Sequence, residues 1–186
     1  MHPVEDYIVF NNSKGNFRTK ISDTYKANRK NQPRPELLGA MHNYVTENYN
    51  GVAVAGLETD DVVAAHWSDL CEQVGRDNVM IVSIDKDYRQ FPALIYDYHI
   101  KHQCIYDISE EEALYNFYEQ MIVGDTADNV NFCKGYGKKF SEKYLADCVT
   151  KFQYTRKVFE LFKKIHKSKA RERYILCYNL LKLRTE

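Results

Sequence analysis

Short continuous apolar runs alternate with helically spaced segments over the first hundred residues, and helical spacing dominates after that. Tyr7–Phe10 (YIVF) has the character of a buried strand, and the Asn/Gly-rich stretch after it reads as a turn. From Pro35 to Tyr49 the apolar residues recur at helical intervals, with Gly51 as a stop. Val52–Leu57 predicts a second strand. Thr59 can cap a helix running through Gln73, whose face of Val62, Val63, Ala65 and His66 would pack on a sheet. Val79–Ile84 (VMIVSI) is the strongest strand signal, of the kind buried on both faces of a parallel sheet.

Leu94–Tyr98 and Cys104–Ile108 predict two further strands. Ser109 and Glu112 then form a capping-box pattern opening a helix to about Val123. Helical spacing continues over Lys138–Cys148, Arg156–His166 and Ala170–Leu183. This order predicts an α/β domain over residues 1–108, with a parallel sheet and helices on both faces, followed by an all-helical segment over 109–186.

Composition narrows the class. The 186 residues are 44% hydrophobic, enough for a folded core, and no apolar run approaches the roughly 18 residues of a membrane span. The opening residues lack the basic-then-apolar order of a secretion signal, which predicts a cytoplasmic protein without a membrane partner. Cys71, Cys104, Cys133, Cys148 and Cys177 are scattered and never paired as CxxC, arguing against a disulfide frame or a zinc site.

The net charge of zero conceals a segregation. Residues 14–34 hold seven Lys/Arg against one acid, residues 35–133 four against eighteen, and residues 134–173 thirteen against four. An acidic middle between basic flanks suits a protein that grips phosphates while presenting carboxylates to one of them.

The carboxylates fall in three groups at element ends. Glu58, Asp60 and Asp61 stand where a strand meets a helix, Asp85 and Asp87 directly follow VMIVSI, and Asp125 and Asp128 follow the helix ending near Val123. The carboxyl end of a parallel strand is where open α/β sheets place their sites. Helix capping explains Asp60 or Asp61 individually about as well, and fits Asp85 and Asp87 poorly. Gathered without counterions, these acids would repel one another and be forced toward protonation. Hard divalent cations such as Mg²⁺ or Mn²⁺ remove that penalty, and two of them roughly 4 Å apart suit phosphodiester hydrolysis.

The succession AGLETDDVVAA, IVSIDKDYRQF and MIVGDTADNVNFCKGYGKKFSEKYL resembles the flap endonuclease and 5′–3′ exonuclease family, which includes phage 5′ nucleases and the 5′ nuclease domain of bacterial DNA polymerase I. The likeness, to a fold of the PIN type, runs from about Tyr7 to Leu145. It implies that Glu58, Asp60, Asp61, Asp85, Asp87, Asp125 and Asp128 hold two metal ions. Lys134, Gly135, Tyr136, Gly137, Lys138 and Lys139 match the glycine-rich turn of a helix–three-turn–helix motif, where backbone and lysines meet duplex phosphates and K⁺ is held. NFRTKISDTYKANRK is similar to the segment entering a helical arch, here about residues 18–36. Lys14, Arg18, Lys26 and Arg29 would then contact DNA, and Tyr25 could stack on a base. Glu58, Asp60, Asp85, Lys26 and Arg29 carry the implied chemistry. The implied substrate is DNA with a 5′ flap or end, or an RNA–DNA hybrid, in replication, primer removal or repair.

Two departures stand against the family pattern. Relatives carry a first strand and aspartate upstream of this chain's start, and their counterpart of YIVF ends in aspartate where Asn11 and Asn12 stand here. Three readings follow: a chain whose missing strand comes from a separate polypeptide or an upstream reading frame, a short divergent enzyme that works as a monomer with one well-held metal, or a catalytically impaired member that binds branched DNA. A rival from another class is a DxD phosphatase with Asp85 as nucleophile, although Tyr88 and the downstream order fit it poorly.

Overall fold

The computed structural model describes residues 4–185. Its sheet has three strands in the order β1 (Met80–Val82), β2 (Leu94–Asp97) and β3 (Cys104–Asp107). Strands β1 and β2 run parallel, with Met80 opposite Leu94 and Val82 opposite Tyr96, whereas β2 and β3 are antiparallel. The sheet is therefore mixed, where the sequence predicted a parallel one. The reason is connection length: residues 98–103 suffice for a hairpin, whereas a parallel return needs a dozen or more. Asp97 closes that hairpin, accepting from the backbone N–H of His99 at 2.9 Å and lying 2.8 Å from His102 Nδ1.

Only one face of β1 is buried. Ile81 packs with Ile95, Ala64, Tyr88, Phe91, Ala93, Ile108 and Ala113, while Met80 and Val82 stay 43% and 62% exposed. The burial on both faces that VMIVSI predicted is thus corrected to one. Tyr7–Phe10 and Val52–Leu57 do not form regular strands either. They share one parallel bridge, Phe10 with Val52, made by the N–H groups of Asn11 and Val52 donating to Val52 and Val9 carbonyls, each at 2.8 Å. Tyr7, Ile8 and Val54 remain exposed, so little apolar burial offsets the entropy of extending a longer ladder.

Between these segments lie α1 (Phe17–Ile21), a 3₁₀ turn at Ala27–Arg29 and α2 (Leu38–Tyr49). The Asn16 side chain caps α1 by accepting from Arg18 N at 2.8 Å. Helix α2 forms where expected yet buries none of its residues, and Met41 and Tyr44 of its apolar stripe face solvent, as does Leu37 at its N-cap. Helix α3 (Thr59–Val74) has Glu58, not Thr59, at its N-cap position, without a side-chain cap, and the Thr59 hydroxyl donates to Asn12 Oδ1 at 2.6 Å.

The helical segment comprises α4 (Glu110–Val123), α5 (Lys138–Leu145), α6 (Lys151–His166) and α7 (Ala170–Leu181). Capping boxes start α4 at Ser109/Glu112 and α6 at Thr150/Gln153, the latter ahead of the start expected at Arg156. Helix α4 serves two cores. Its Ala113 joins the sheet cluster, while Phe117, Tyr118, Met121 and Ile122 pack with Leu145, Val158, Phe162, Cys177 and Leu180. Leu183 returns into the sheet cluster, so the tail after α7 ties the helices back to the α/β part.

Candidate functional site

Successive residues in the first turn of α3 point about 100° apart, so its acids serve different neighbours. Asp61 points inward, where Arg18 grips it bidentately at 2.5 and 2.8 Å. The same guanidinium donates to Glu58 at 3.1 Å and to the carbonyls of Leu180 and Lys182, each at 2.9 Å. Arg18 is 1% exposed and engaged throughout, which corrects its reading as a DNA contact. Asp61, expected as a cation ligand, is equally buried and gives both carboxylate oxygens to Arg18.

Asp60 instead faces the segment after β1. There a 3₁₀ turn spans Lys86–Gln90, and the Asp85 side chain caps it by accepting from Asp87 N at 2.9 Å. Buried Tyr88 donates its hydroxyl to Asp60 at 2.9 Å, and Gln120 of α4 donates to Asp87 at 2.8 Å. Burial first, and the neighbouring Asp85 charge second, push Asp60 up to about 6 and Asp87 up to about 7.

The third group sits in a tight loop after α4. Asp125 and Val130 exchange backbone hydrogen bonds of 2.7 and 2.8 Å, and Asp125 Oδ1 accepts from Asp128 N at 3.1 Å. Gly124 permits this closure: it has φ of 80°, and a Cβ there would lie 2.3 Å from the Val130 oxygen. Lys86 reaches Asp125 at 2.9 Å. Burial opposes ionisation of Asp125, but the hydrogen bond and charge of Lys86 outweigh it and hold this carboxyl below the usual range.

Side chains of the 25–29 segment join the first and third groups. The Tyr25 hydroxyl lies 2.8 Å from Glu58 and 2.7 Å from Asp128, burying a ring that the sequence had offered for stacking on a base. Lys26 pairs with Glu58 and stands 3.6 Å from Asp128, which Arg29 contacts at 3.0 Å. Asn12, Lys26 and Glu58 line a cleft of about 320 Å³ beside this cluster.

The structure thus brings together Glu58, Asp60, Asp85, Asp87, Asp125, Asp128, Lys26 and Arg29. Their electrostatics divide in two. Glu58, Asp125 and Asp128 have Lys26, Lys86 and Arg29 as counterions, whereas Asp60, Asp85 and Asp87 have no cation within 4 Å among the described residues. That second set, with two members driven toward protonation by burial and a shared neighbour, is the donor chemistry a hard divalent cation satisfies. Among the described residues no three acids converge closely enough to cage an ion unaided. A divalent cation that keeps several waters and takes one or two carboxylates fits such a site.

The remaining expected residues lie elsewhere. Lys14 is exposed. Lys134, Gly135 and Gly137 are exposed in the turn leading into α5 and Lys138 and Lys139 in its first turn, and Gly135 has φ of 91°, which a side chain would strain. Sequence reasoning missed Lys86, Tyr88 and Gln120 as members of the site. Lys86 was legible between Asp85 and Asp87, but Gln120 is one polar position in an ordinary helix.

The chain has counterparts among known proteins. Residues 2–119 match the family model described as 5′-3′ exonuclease, N-terminal resolvase-like domain. The chain is 31% identical over 159 residues to DNA polymerase I of Rhizobium leguminosarum, covering 78% of this chain and 15% of that protein. It is 30% identical over 136 residues to the 5′-3′ exonuclease of Buchnera aphidicola subsp. Schizaphis graminum, covering 66% of this chain and 46% of that one. It therefore spans less than half the length of either relative. Its fold matches that of T5 D15 protein, solved from crystals grown with metal ions, at a TM-score of 0.69 and 17% identity over 97% of this chain and 77% of that one. The likeness to T5 D15 protein shows the fold, and the family model with these relatives places the chain in the 5′-3′ exonuclease family.

Proposed function

We propose that this chain is a structure-specific 5′ nuclease that hydrolyses phosphodiester bonds in 5′-ended or flapped DNA, in replication, primer removal or repair. One observation carries the reading: Asp85 lies close enough to Asp60 and to Asp87 to push both toward protonation, and none of the three has a cation within 4 Å among the described residues. Two Mg²⁺ or Mn²⁺ ions held by Asp60, Asp85, Asp87, Glu58, Asp125 and Asp128 would supply Lewis acidity and a nucleophile at neutral pH. Lys26 and Arg29 steer the scissile phosphate and offset its charge, exchanging their carboxylate partners for it. Tyr88 and Gln120 orient Asp60 and Asp87 through the hydrogen bonds described above. The exposed lysines and glycines of residues 134–139 would hold the duplex, and the same turn would hold K⁺.

A second reading, a member that binds branched DNA without cutting it unless another polypeptide completes it, has its own support. Asn11 donates to the His42 carbonyl at 2.8 Å, and Asn12 accepts from Thr59, so both serve neighbours as neutral amides where the family resemblance expects a carboxylate. The deciding experiment incubates the purified chain with an end-labelled 5′ flap, with and without Mn²⁺. Metal-dependent short products establish the nuclease, and tight binding without products establishes the second reading.

A further inference from the structure

The basic run from Lys163 to Arg173 takes no part in the site above. It holds Lys163, Lys164, Lys167, Lys169, Arg171 and Arg173 against Glu172 alone. Among the described residues, none of these six cations lies within 4 Å of a carboxylate. Lys167, at the end of α6, has φ of 52° and ψ of −118°, a conformation natural to glycine. A side chain held there is strained in a way that a glycine would not be.

Next to this turn lies a second cleft of about 390 Å³, lined by Arg173, His166, Ser22, Thr24, Asn129 and Asn131 together with apolar side chains. No carboxylate lines it, in contrast to the first cleft with Glu58. Its walls are tied together: Asn129 donates to the Thr24 carbonyl at 2.8 Å, and His166 Nε2 lies 2.9 Å from the Phe132 carbonyl. They also adjoin the carboxylate site, since Thr24 precedes Tyr25 and Asn129 follows Asp128. A guanidinium among hydroxyls and amides, with acids excluded, is a recognition chemistry for phosphate oxygens.

We propose that this cleft and the α6–α7 turn form a second DNA-contact surface, separate from the 134–139 turn, in which Arg173 holds a backbone phosphate and Lys167 and Lys169 hold its neighbours. The proposal rests on the nuclease reading and extends its footprint along the same strand.

The test measures binding of fluorescent 5′-flap DNA to the full chain by anisotropy, without divalent metal, across a salt series. Arg173→Gln and Lys167→Gly should each weaken binding about 3- to 10-fold and lower the log–log salt slope by about 1. Arg173→Lys should keep most of the slope. Lys167→Gly should also leave the Tm unchanged or higher, because strain is relieved, so its affinity loss cannot come from unfolding. If the parent binds the flap and both variants match it in affinity and slope, the surface is wrong while the nuclease reading survives. Arg173-dependent binding of inorganic phosphate with unchanged DNA affinity makes a free anion the occupant and also overturns it. A parent that binds no DNA overturns the nuclease reading itself.

Discussion

Arg18 clasps Asp61 through two hydrogen bonds of 2.5 and 2.8 Å, with both side chains out of solvent. The pair joins three distant parts of the chain, because Arg18 also holds the carbonyls of Leu180 and Lys182, and Asp61 accepts from Arg184 N at 3.1 Å. Removing one partner leaves a buried charge uncompensated. Arg18→Ala should therefore lower stability by about 3 to 5 kcal/mol, read as a drop in the denaturant midpoint. An Arg18→Ala variant with parental stability and weakened DNA binding would restore Arg18 to the DNA-facing set.

Asp60 and Asp85 repel each other in the metal-free protein. Asp60→Asn keeps the acceptor for Tyr88 and removes one charge, so it should raise the metal-free Tm at neutral pH, by about 1 to 2 kcal/mol in stability. Asp60→Asn and Asp85→Asn should each abolish flap cleavage while leaving DNA affinity equal or higher. Cleavage at the parental rate by both would remove these residues from the site.

The raised carboxyls also set a pH dependence. Asp60 at about 6 and Asp87 at about 7 bind protons in the folded chain that the unfolded chain has released, so stability falls as pH rises from about 4 through 7. Asp125, held low by Lys86, acts only below that window. The metal-free Tm should be higher at pH 5 than at pH 8, and Mg²⁺ should raise it far more at pH 8. Equal magnesium stabilisation at both values would contradict cation binding at Asp60 and Asp87.

Lys182 offers a separate test away from the carboxylates. Burial, with a smaller repulsion from Lys151, pushes its ammonium down to about 8, although Nζ lies 5.0 and 5.3 Å from the Phe117 and Phe91 ring centres. Between about 8 and 10.5 the unfolded chain binds the extra proton, so this residue makes stability rise with pH in that window. Lys182→Met should add about 1 to 2 kcal/mol at pH 7 and remove that rise, as followed by thermal melts. A destabilised variant would show that the rings depend on the cation.

Much of this was legible along the chain. Carboxylates at three element ends, the strand before Asp85, the capping box at Ser109 and the glycine before Tyr136 are local patterns, and local chemistry specifies them. Tertiary structure decided the rest. Asp60 and Asp61 are adjacent and alike in sequence, yet one turn of α3 sends Asp60 toward Tyr88 and Asp61 to Arg18. Burial separates Arg18 from the other basic residues of its segment, and that burial depends on α7, more than 150 residues away. The direction of β3 followed from the length of one connection, and the open face of β1 from what packs on it. Residue type and spacing determine which groups an element can present; only the packed chain determines which charge meets a partner and which is left for a ligand.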